Sequence, residues 1–200
     1  MSYNTDSITN DCYSNTTVLI NKLDITNETM LADVEALITT LNIAKLEVEP
    51  IVGNFDYKHY CDIHFFIYNE LYDWAGKTRT IDITKKGTVF CTADKIEQQA
   101  ILIFKRLKSE NYFLNKKPND FIADIVDFYV STNYLHPFRE GNGRSQRAFL
   151  TQIIRAANYD INFSEIDVDL LMLATIKSAS GVNDMLLDIF SKFIKTEKMR

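Results

Sequence analysis

Glycine, proline and cysteine are scarce in this chain of 200 residues, and their scarcity excludes several classes of protein. Six glycines and three prolines are too few for a collagen-like chain, a low-complexity linker or a β-sandwich with many turns. The three cysteines, Cys12, Cys61 and Cys91, are far apart and form no CxxC pair. Their odd number and spacing argue against a disulfide framework and against a thiolate zinc site.

The chain also lacks a basic excess and long apolar runs. Its formal net charge is -5, so it lacks the electrostatic footprint of a nucleic-acid binder or of a protein that docks on anionic membranes. No apolar run approaches the roughly 18 residues of a membrane-spanning helix, and the polar N-terminus does not resemble a secretory signal. We therefore expect no nucleic-acid partner, no membrane partner and a cytoplasmic location. Export as an effector through a dedicated secretion machine is the alternative.

Most of the chain shows the apolar periodicity of helices. Residues 1–15 are rich in Asn, Ser, Thr and Asp and are predicted to be flexible. From there on, apolar residues recur at three- and four-residue steps, which predicts helices. The predicted helices span residues 29–47, 56–75, 94–109, 119–135, 143–157, 164–178 and 182–195.

The period changes between residues 77 and 92. Residues 80–83 alternate between polar and apolar, residues 85–87 supply a turn, and residues 88–91 bring back β-branched and aromatic side chains. This pattern predicts a short β-hairpin. The predicted fold class is therefore mostly α with one small hairpin.

The residues suited to chemistry lie between two predicted helices, in the segment HPFREGNGRSQR at positions 136–147. The Gly-Asn-Gly run at 141–143 can turn successive backbone N–H groups inward at a helix N-terminus, which is an anion site. Arg144 and Arg147 lie three residues apart at the start of that helix, so both can face the same anion.

Two further side chains extend this reading of the segment. Glu140 is a carboxylate suited to holding Mg²⁺ against phosphate oxygens, and His136 has the intrinsic pKa best suited to accepting a proton near neutrality. An anion cradle, a metal carboxylate and a base together indicate transfer of a phosphate-containing group to a hydroxyl. Taken one by one, these residues have ordinary interpretations as a helix cap, a solvated face or a turn.

This segment resembles the Fic (filamentation induced by cAMP) signature, His-x-Phe-x-Asp/Glu-Gly-Asn-Gly-Arg-x-x-Arg. Residues 72–79 and the hairpin after them resemble the Trp-Ala-Gly helix end and the flap of that family. The resemblance covers about residues 55–195, the best-supported part of a single Fic domain predicted for 16–200, and it implies a Fic-type helical bundle with the hairpin next to the active-site loop. Every specified position of the signature matches: His136, Phe138, Glu140, Gly141, Asn142, Gly143, Arg144 and Arg147.

The resemblance implies a protein adenylyltransferase, which transfers AMP from ATP to a Ser, Thr or Tyr hydroxyl of a target protein. His136 would deprotonate that hydroxyl, and Phe138 would anchor the loop in the core. Glu140 would bind Mg²⁺, the implied cofactor, between the α- and β-phosphates of ATP.

The resemblance also assigns the phosphate contacts. The Gly141–Gly143 backbone and the catalytic Asn142 side chain would hold the α-phosphate and its developing charge. Arg144 would hold the β-phosphate, and Arg147 the γ-phosphate or its surroundings. The physical reading agrees, because in-line displacement needs positioning and charge neutralisation more than covalent chemistry.

The hairpin is predicted to dock the target protein. An extended segment of the target can add as a strand to the hairpin edge, which would fix its hydroxyl at His136. A surface hairpin with solvated lysines is the alternative. His59 and His64 fall on or near an apolar helix face and are interpreted as structural. The candidate docking residues are Thr84, Lys85, Lys86, Gly87 and Thr88.

Other functions stay open from the sequence. The death-on-curing branch of the family has Lys at the position of Gly143 and transfers phosphate, whereas the small Gly143 leaves room for the polyphosphate in the adenylylating orientation. A different nucleotide or a CDP-alcohol is a further alternative donor. The alternative from another class is a non-catalytic regulatory module of a toxin–antitoxin pair.

Regulation is predicted from an absence. Many Fic proteins carry an inhibitory helix, Ser/Thr-x-x-x-Glu-Gly/Asn, whose Glu pairs with the second arginine of the signature. No Glu of this chain has Ser or Thr four positions earlier. We therefore expect a small antitoxin-like partner that supplies a Glu to Arg147, or delivery elsewhere as an effector. A degenerate internal clamp at Glu28, Glu35 or Glu197 is the alternative, and self-association stays open.

Overall fold

The computed structural model describes residues 11–85 and 87–196. This part of the chain is mostly helical with two small antiparallel strand pairs, which confirms the predicted fold class. The strand pairs are β1 (Thr84–Lys85) with β2 (Thr88–Val89), and β3 (Tyr159–Asp160) with β4 (Lys195–Thr196). The helices are α1 (Glu28–Val48), α2 (Tyr57–Tyr68), α3 (Ile96–Ser109), α4 (Pro118–Leu135), α5 (Asn142–Ala156), α6 (Val168–Ser178) and α7 (Asp184–Phe193).

Local sequence chemistry sets most helix starts. Asn27, Asp56 and Asp167 precede α1, α2 and α6, and each side chain accepts a hydrogen bond from a backbone N–H of the first turn. Pro118 begins α4, where its missing N–H would have no helical partner.

The helix α5 lies in the core and packs against α2 and α4, while α1 covers α2, α3 packs on α4, and α7 contacts α4 and α6. The ring of Phe149 on α5 is 1% exposed and lies within 6.2 Å of five other aromatic rings, which belong to Phe55, His59, Tyr60, Phe104 and Phe128. This aromatic core fixes α5, and with it the segment of the signature at its N-terminus.

The second predicted helix is too long. It was expected over 56–75, but α2 ends at Tyr68, because the Asn69 side chain donates to the carbonyls of Phe65 and Phe66. Turns follow, and Gly76 sits at their end with φ +74°. The helix therefore ends earlier than the periodicity predicts, and turns connect it to the hairpin.

Two other boundaries and one strand pair differ from the prediction. The hairpin strands begin at Thr84, so the alternating residues 80–83 form no strand. The sixth helix begins at Val168, because Asp167 caps it and a short 3₁₀ turn covers 163–165. The pair of β3 with β4 joins segments 35 residues apart and was not predicted. Within the described ranges, no helix combines the length and the apolar character needed to cross a membrane.

The N-terminal segment contacts the rest of the chain as far as it is described. Residues 1–10 of the predicted flexible segment lie outside the described residues, as do Lys86 and Glu197. Asp11 forms an ion pair with Arg139, and Cys12 forms an isolated bridge with Leu19. Residues 11–19 are thereby joined to the loop that follows α4.

Candidate active site

His136 lies at the junction between α4 and the loop that leads into α5. Its backbone is left-handed, with φ 42° and ψ 58°, whereas a residue before proline ordinarily adopts extended geometry. Such a conformation costs free energy in a non-glycine residue and persists only where the surroundings hold it. The ring is buried and stacks on Phe90, with ring centroids 3.7 Å apart.

One hydrogen bond decides which nitrogen of His136 can accept a proton. The Nδ1 atom lies 3.0 Å from the carbonyl oxygen of Asn133, and a carbonyl can only accept, so Nδ1 carries the hydrogen. In the neutral ring, Nε2 then holds the lone pair. Burial, with the charges of Lys85 and Arg79, lowers the pKa of His136 to about 3. The ring is therefore neutral near pH 7.

The loop after His136 is closed by the side chain of Asn142. Its Oδ1 accepts from the backbone N–H of Phe138 at 2.8 Å, and its Nδ2 donates to the Phe138 carbonyl at 2.7 Å. The Phe138 ring is fully buried and stacks on His64 at 3.8 Å between centroids. These contacts hold the loop against α2.

His64 also supports the loop through its two ring nitrogens. Its Nδ1 accepts from the backbone N–H of Gly76 at 2.8 Å, so its Nε2 donates to the carbonyl of Glu140, 3.0 Å away. Burial lowers the pKa of His64 to about 3, which keeps the ring neutral and this tautomer available. His64 therefore has the structural role predicted for it, and it plays that role by contacting Phe138 and Glu140 in the segment of the signature.

Two glycines let the backbone approach closely at the start of α5. Gly141 has φ +79°, and a Cβ there would lie 2.2 Å from Cζ of Tyr68. A Cβ at Gly143 would lie 3.2 Å from Nη1 of Arg147. The first backbone N–H groups of α5 have no partner within the helix, so this N-terminus is suited to an anion.

Glu140 is a largely buried carboxylate next to this helix start. Its Oε1 accepts from the N–H of Gly141 at 2.8 Å and lies 4.0 Å from Nη2 of Arg144. Burial raises the pKa of the Glu140 carboxyl. In the described ranges, no group of three His, Cys, Asp or Glu side chains could hold a metal. A lone carboxylate fits an Mg²⁺ ion whose other ligands are substrate phosphates and water.

The two arginines of the signature have different surroundings. Arg147 lines a cavity, and no carboxylate within residues 11–85 and 87–196 forms an ion pair with it. Burial lowers its pKa, so an anion in the cavity would relieve the cost of the buried charge. Arg144 instead forms an ion pair with Glu35 on α1, at 2.5 Å. Glu35, one of the alternative clamp residues, therefore contacts the first arginine of the signature.

The cavity has a volume of about 480 Å³ and contains the polar side chains of His136, Asn133, Lys85 and Arg147 in its wall. Gly143 lines it as well, beside the start of α5. A cavity with a buried cation and an apolar wall suits a ligand that has an anionic part and a flat hydrophobic part. The apolar wall comes mainly from α6 and the segment before it: Phe163, Ile166, Val168, Leu171, Met172 and Ile176.

The hairpin borders the same cavity through Lys85 and Thr88. Thr84 pairs with Val89 and Lys85 with Thr88, and the turn contains Gly87 at φ +76°. Lys86, the fifth predicted docking residue, lies outside the described residues. The structure thus brings the hairpin and the segment of the signature to one place.

Sequence reasoning missed the role of Arg79, and it considered Glu35 only as an alternative clamp residue, not as a partner of Arg144. The buried guanidinium of Arg79 donates from Nε to the His136 carbonyl at 2.8 Å, from Nη1 to Ile81 at 2.6 Å and from Nη2 to the carbonyl of Cys91. It thereby connects the hairpin to the loop that follows α4. For Glu35 a signal existed, because it lies four residues from both Leu31 and Thr39 on the buried face of α1.

Comparison with known proteins matches residues 54–154 to the model of the Fic/DOC family. The chain is 34% identical over 179 residues to "Protein adenylyltransferase VbhT" of Bartonella schoenbuchensis, covering 88% of this chain but only 37% of VbhT. It is 32% identical over 182 residues to "Probable protein adenylyltransferase Fic" of Salmonella typhimurium, covering 91% of this chain and 90% of that protein. The chain thus spans about a third of one relative and nearly all of the other.

Solved structures with the same fold include nucleotide complexes. The N-terminal Fic domain of a VirB-translocated Bep effector protein from Bartonella quintana, with bound ADP, has a TM-score of 0.89 and 27% identity and covers 94% of this chain and 96% of that one. The BepC protein of Bartonella tribocorum, with bound AMPPNP, has a TM-score of 0.88 and 25% identity, with coverages of 94% and 98%.

We expect Gly141→Ala to destabilise the protein more than Gly181→Ala. Both glycines have positive φ, but nothing lies within 4 Å of a Cβ at Gly181, so that variant loses only about 1–2 kcal/mol of conformational free energy. Gly141→Ala adds the clash with Tyr68. Urea unfolding of both variants measures the difference, and equal losses would show that the close approach to Tyr68 is unimportant.

We expect the His136 ring to remain neutral well below its ordinary pKa of about 6.5. Because burial lowers that pKa, its ring proton resonances should not shift between pH 8 and pH 5 in an NMR titration. His136→Ala assigns the resonance, since the chain has only three histidines. A titration midpoint near pH 6.5 for this ring would contradict the burial argument.

Proposed function

The chain belongs to the Fic/DOC family, and on this premise we propose that it transfers AMP from ATP to a Ser, Thr or Tyr hydroxyl of a target protein. One observation carries the proposal. A single cavity joins the neutral base His136, the buried cation Arg147 and an apolar wall beside a helix N-terminus. The names of the relatives support AMP transfer, and the ADP and AMPPNP complexes of proteins with this fold support nucleotide binding.

The proposed reaction is an in-line displacement at the α-phosphorus of ATP. The target hydroxyl oxygen forms a bond to this phosphorus, and the bond from the phosphorus to the oxygen bridging to the β-phosphate breaks. Pyrophosphate leaves, and the hydroxyl proton passes to Nε2 of His136. The Nδ1 contact with Asn133 supports this role, because it keeps the hydrogen of the neutral ring on the other nitrogen.

The start of α5 would hold the triphosphate. The backbone of Gly141–Gly143 and the one amide N–H of Asn142 that is not used by Phe138 would take the α-phosphate. Arg144 would take the β-phosphate and Arg147 the γ-phosphate. Fixed donors of this kind stabilise the charge that develops as pyrophosphate leaves.

Glu140 is the residue that would hold Mg²⁺. The ion would neutralise charge on the α- and β-phosphates when bound. Acidification should weaken this site earlier than for an ordinary glutamate, because burial raises the pKa of Glu140 and the protonated carboxyl is a poor metal ligand.

We propose that the apolar wall formed by α6 and the segment before it binds the nucleobase of ATP. Ile166, Leu171 and Met172 offer a hydrophobic surface for a flat ring in the same cavity as Arg147. The hairpin edge at Thr84, Lys85, Gly87 and Thr88, with Lys86, would take an extended segment of the target as an added strand. Its position beside His136 supports this assignment.

Transfer of the γ-phosphate is the main alternative reaction. A side chain at position 143 would press on the end of the Arg147 side chain, since a Cβ there would lie 3.2 Å from its Nη1. The glycine therefore favours the orientation in which Arg147 receives the end of the polyphosphate. Another nucleotide or a CDP-alcohol as donor, and a non-catalytic binding role, stay as alternatives that the experiment below addresses.

The proposal for regulation is a separate, antitoxin-like inhibitor. Arg147 forms no ion pair with any carboxylate of the described ranges, so a partner could supply one.

The related Bep structures are described as VirB-translocated effectors. This supports export as the alternative to a cytoplasmic role for the present chain.

We expect protein labelling from ATP labelled at the α-phosphate but not from ATP labelled at the γ-phosphate. The assay uses purified chain, Mg²⁺ and cell lysate as the source of targets. His136→Ala should lower the α-labelling by at least about 100-fold, because it removes the base. Arg106→Ala is the control, since this arginine lies on the exposed part of α3.

The other outcomes separate the alternatives. Labelling from the γ position alone would indicate phosphate transfer. No His136-dependent labelling from either position, with calorimetry showing no binding of ATP, would contradict the proposed function and favour a binding module.

A further inference from the structure

The guanidinium of Arg144 is held from a helix outside the segment matched to the family model. Glu35 and Thr39 lie on α1, whereas the match begins at residue 54. The Nη2 atom of Arg144 donates to Oε1 of Glu35 at 2.5 Å, and Nη1 donates to Oγ1 of Thr39 at 3.1 Å. The Tyr68 ring lies against the guanidinium, with its centroid 5.1 Å from Cζ. These three contacts fix the plane of the guanidinium.

Glu35 is itself fixed. Its second oxygen, Oε2, accepts a hydrogen bond from the hydroxyl of Tyr72, 2.5 Å away. The side chains of Glu35 and Arg144 are only 13% and 27% exposed, so water and salt screen their attraction little. A largely buried carboxylate that is hydrogen-bonded through both oxygens has one defined position, and its bond to Arg144 therefore fixes the guanidinium as well.

Arg144 lies between two carboxylates. Its Nη2 is bonded to Glu35 and is 4.0 Å from Oε1 of Glu140, the carboxylate proposed to hold Mg²⁺. The contact with Glu140 is a long ion pair, and without Glu35 the guanidinium would be free to shorten it to a hydrogen-bonded pair. Such a pair would occupy the metal ligand and the β-phosphate ligand at once.

We infer that Glu35 is a positioning residue for the nucleotide's polyphosphate: it holds Arg144 in place and keeps its contact with Glu140 at 4.0 Å from becoming a close, hydrogen-bonded pair. This inference rests on the proposed function and names a residue that acts on that site through Arg144. The bonds to Glu35 and Thr39 use two of the five N–H donors of the guanidinium, which leaves donors for a β-phosphate.

The opposite role, an inhibitory clamp, fits the contacts less well. The inhibitory helix described for the family pairs its Glu with the second arginine of the signature, which is Arg147 in this chain. Glu35 contacts Arg144, whereas the cavity is lined by Arg147. The two roles predict opposite signs, because loss of a clamp raises activity and loss of a positioning residue lowers it.

The test measures nucleotide binding by calorimetry for the wild-type chain, Glu35→Ala and Glu35→Gln. Glu35→Ala should weaken AMPPNP and ADP about tenfold, which is about 1.4 kcal/mol. AMP, which has no β-phosphate, should change less than twofold, whereas a general structural defect would weaken all three. Glu35→Gln should fall between wild type and Glu35→Ala, because its amide oxygen still accepts from Arg144.

The matched control is Asp33→Ala, an exposed acidic residue on the same helix, which should leave all three affinities unchanged. The double variant Glu35→Ala/Arg144→Ala should bind AMPPNP no more weakly than Arg144→Ala alone, because Glu35 acts through Arg144. If Glu35→Ala does not fold, Glu35→Gln and Thr39→Val carry the same comparison.

Three results would overturn the inference: unchanged AMPPNP affinity in Glu35→Ala, an equal loss for AMP, or additive losses in the double variant. Faster AMP transfer by Glu35→Ala would overturn it in favour of a clamp. The proposed function fails in a different way, since the wild-type chain would then neither bind AMPPNP nor label protein from the α-phosphate of ATP.

Discussion

The side-chain amide of Asn142 bonds both the N–H and the carbonyl of Phe138, and the geometry of the candidate site depends on this pair of hydrogen bonds. The amide accepts from the backbone N–H and donates to the backbone carbonyl of the same residue, as a neighbouring strand does in a β-sheet. It thereby closes the loop. The loop can therefore be short and rigid at the N-terminus of α5. His136 precedes it and Arg147 follows it, so their separation depends on the closed loop.

Arg79, Arg144 and Arg147 lie around this loop, and their partners differ in a way that indicates where an anion belongs. Arg79 donates to three carbonyls and joins the hairpin to the loop. Arg144 is bound by Glu35 on α1. Arg147 lines the cavity and forms no ion pair with any carboxylate in the described part of the chain. A buried charge is costly without a partner, and of these three arginines only Arg147 has neither carbonyl nor carboxylate partners for its side chain in the described part of the chain. This supports the binding of a ligand anion beside Arg147.

The elements that could be predicted from the sequence are those set by local chemistry. Pro137 ends α4 because it acts on its neighbour, and the apolar periodicity of α1, α3, α4 and α5 reflects one buried face. The end of α2 could not be predicted from periodicity, because apolar residues continue beyond Tyr68 while the side chain of Asn69 caps the helix.

In the candidate site, too, the features set by local sequence could be predicted and those set by helix packing could not. The signature lies in one loop, so the structure brings its residues together as their spacing suggests. The ion pair of Glu35 with Arg144 joins residues 109 positions apart in the sequence, and the hydrogen bond from Arg79 to the His136 carbonyl joins residues 57 positions apart. Contacts of this range depend on how helices pack, which the pattern of one segment does not contain. The apolar wall on α6 is missing from the sequence prediction for the same reason.

The most direct test of the account is a crystal structure of this chain with AMPPNP and Mg²⁺. We expect the α-phosphate at the N-terminus of α5, within reach of Nε2 of His136. The γ-phosphate should bind Arg147, and the nucleobase should pack against Leu171 and Met172. A nucleotide bound in the reverse direction, with its γ-phosphate at His136, would contradict AMP transfer and indicate phosphate transfer. A nucleotide outside this cavity would contradict the site itself.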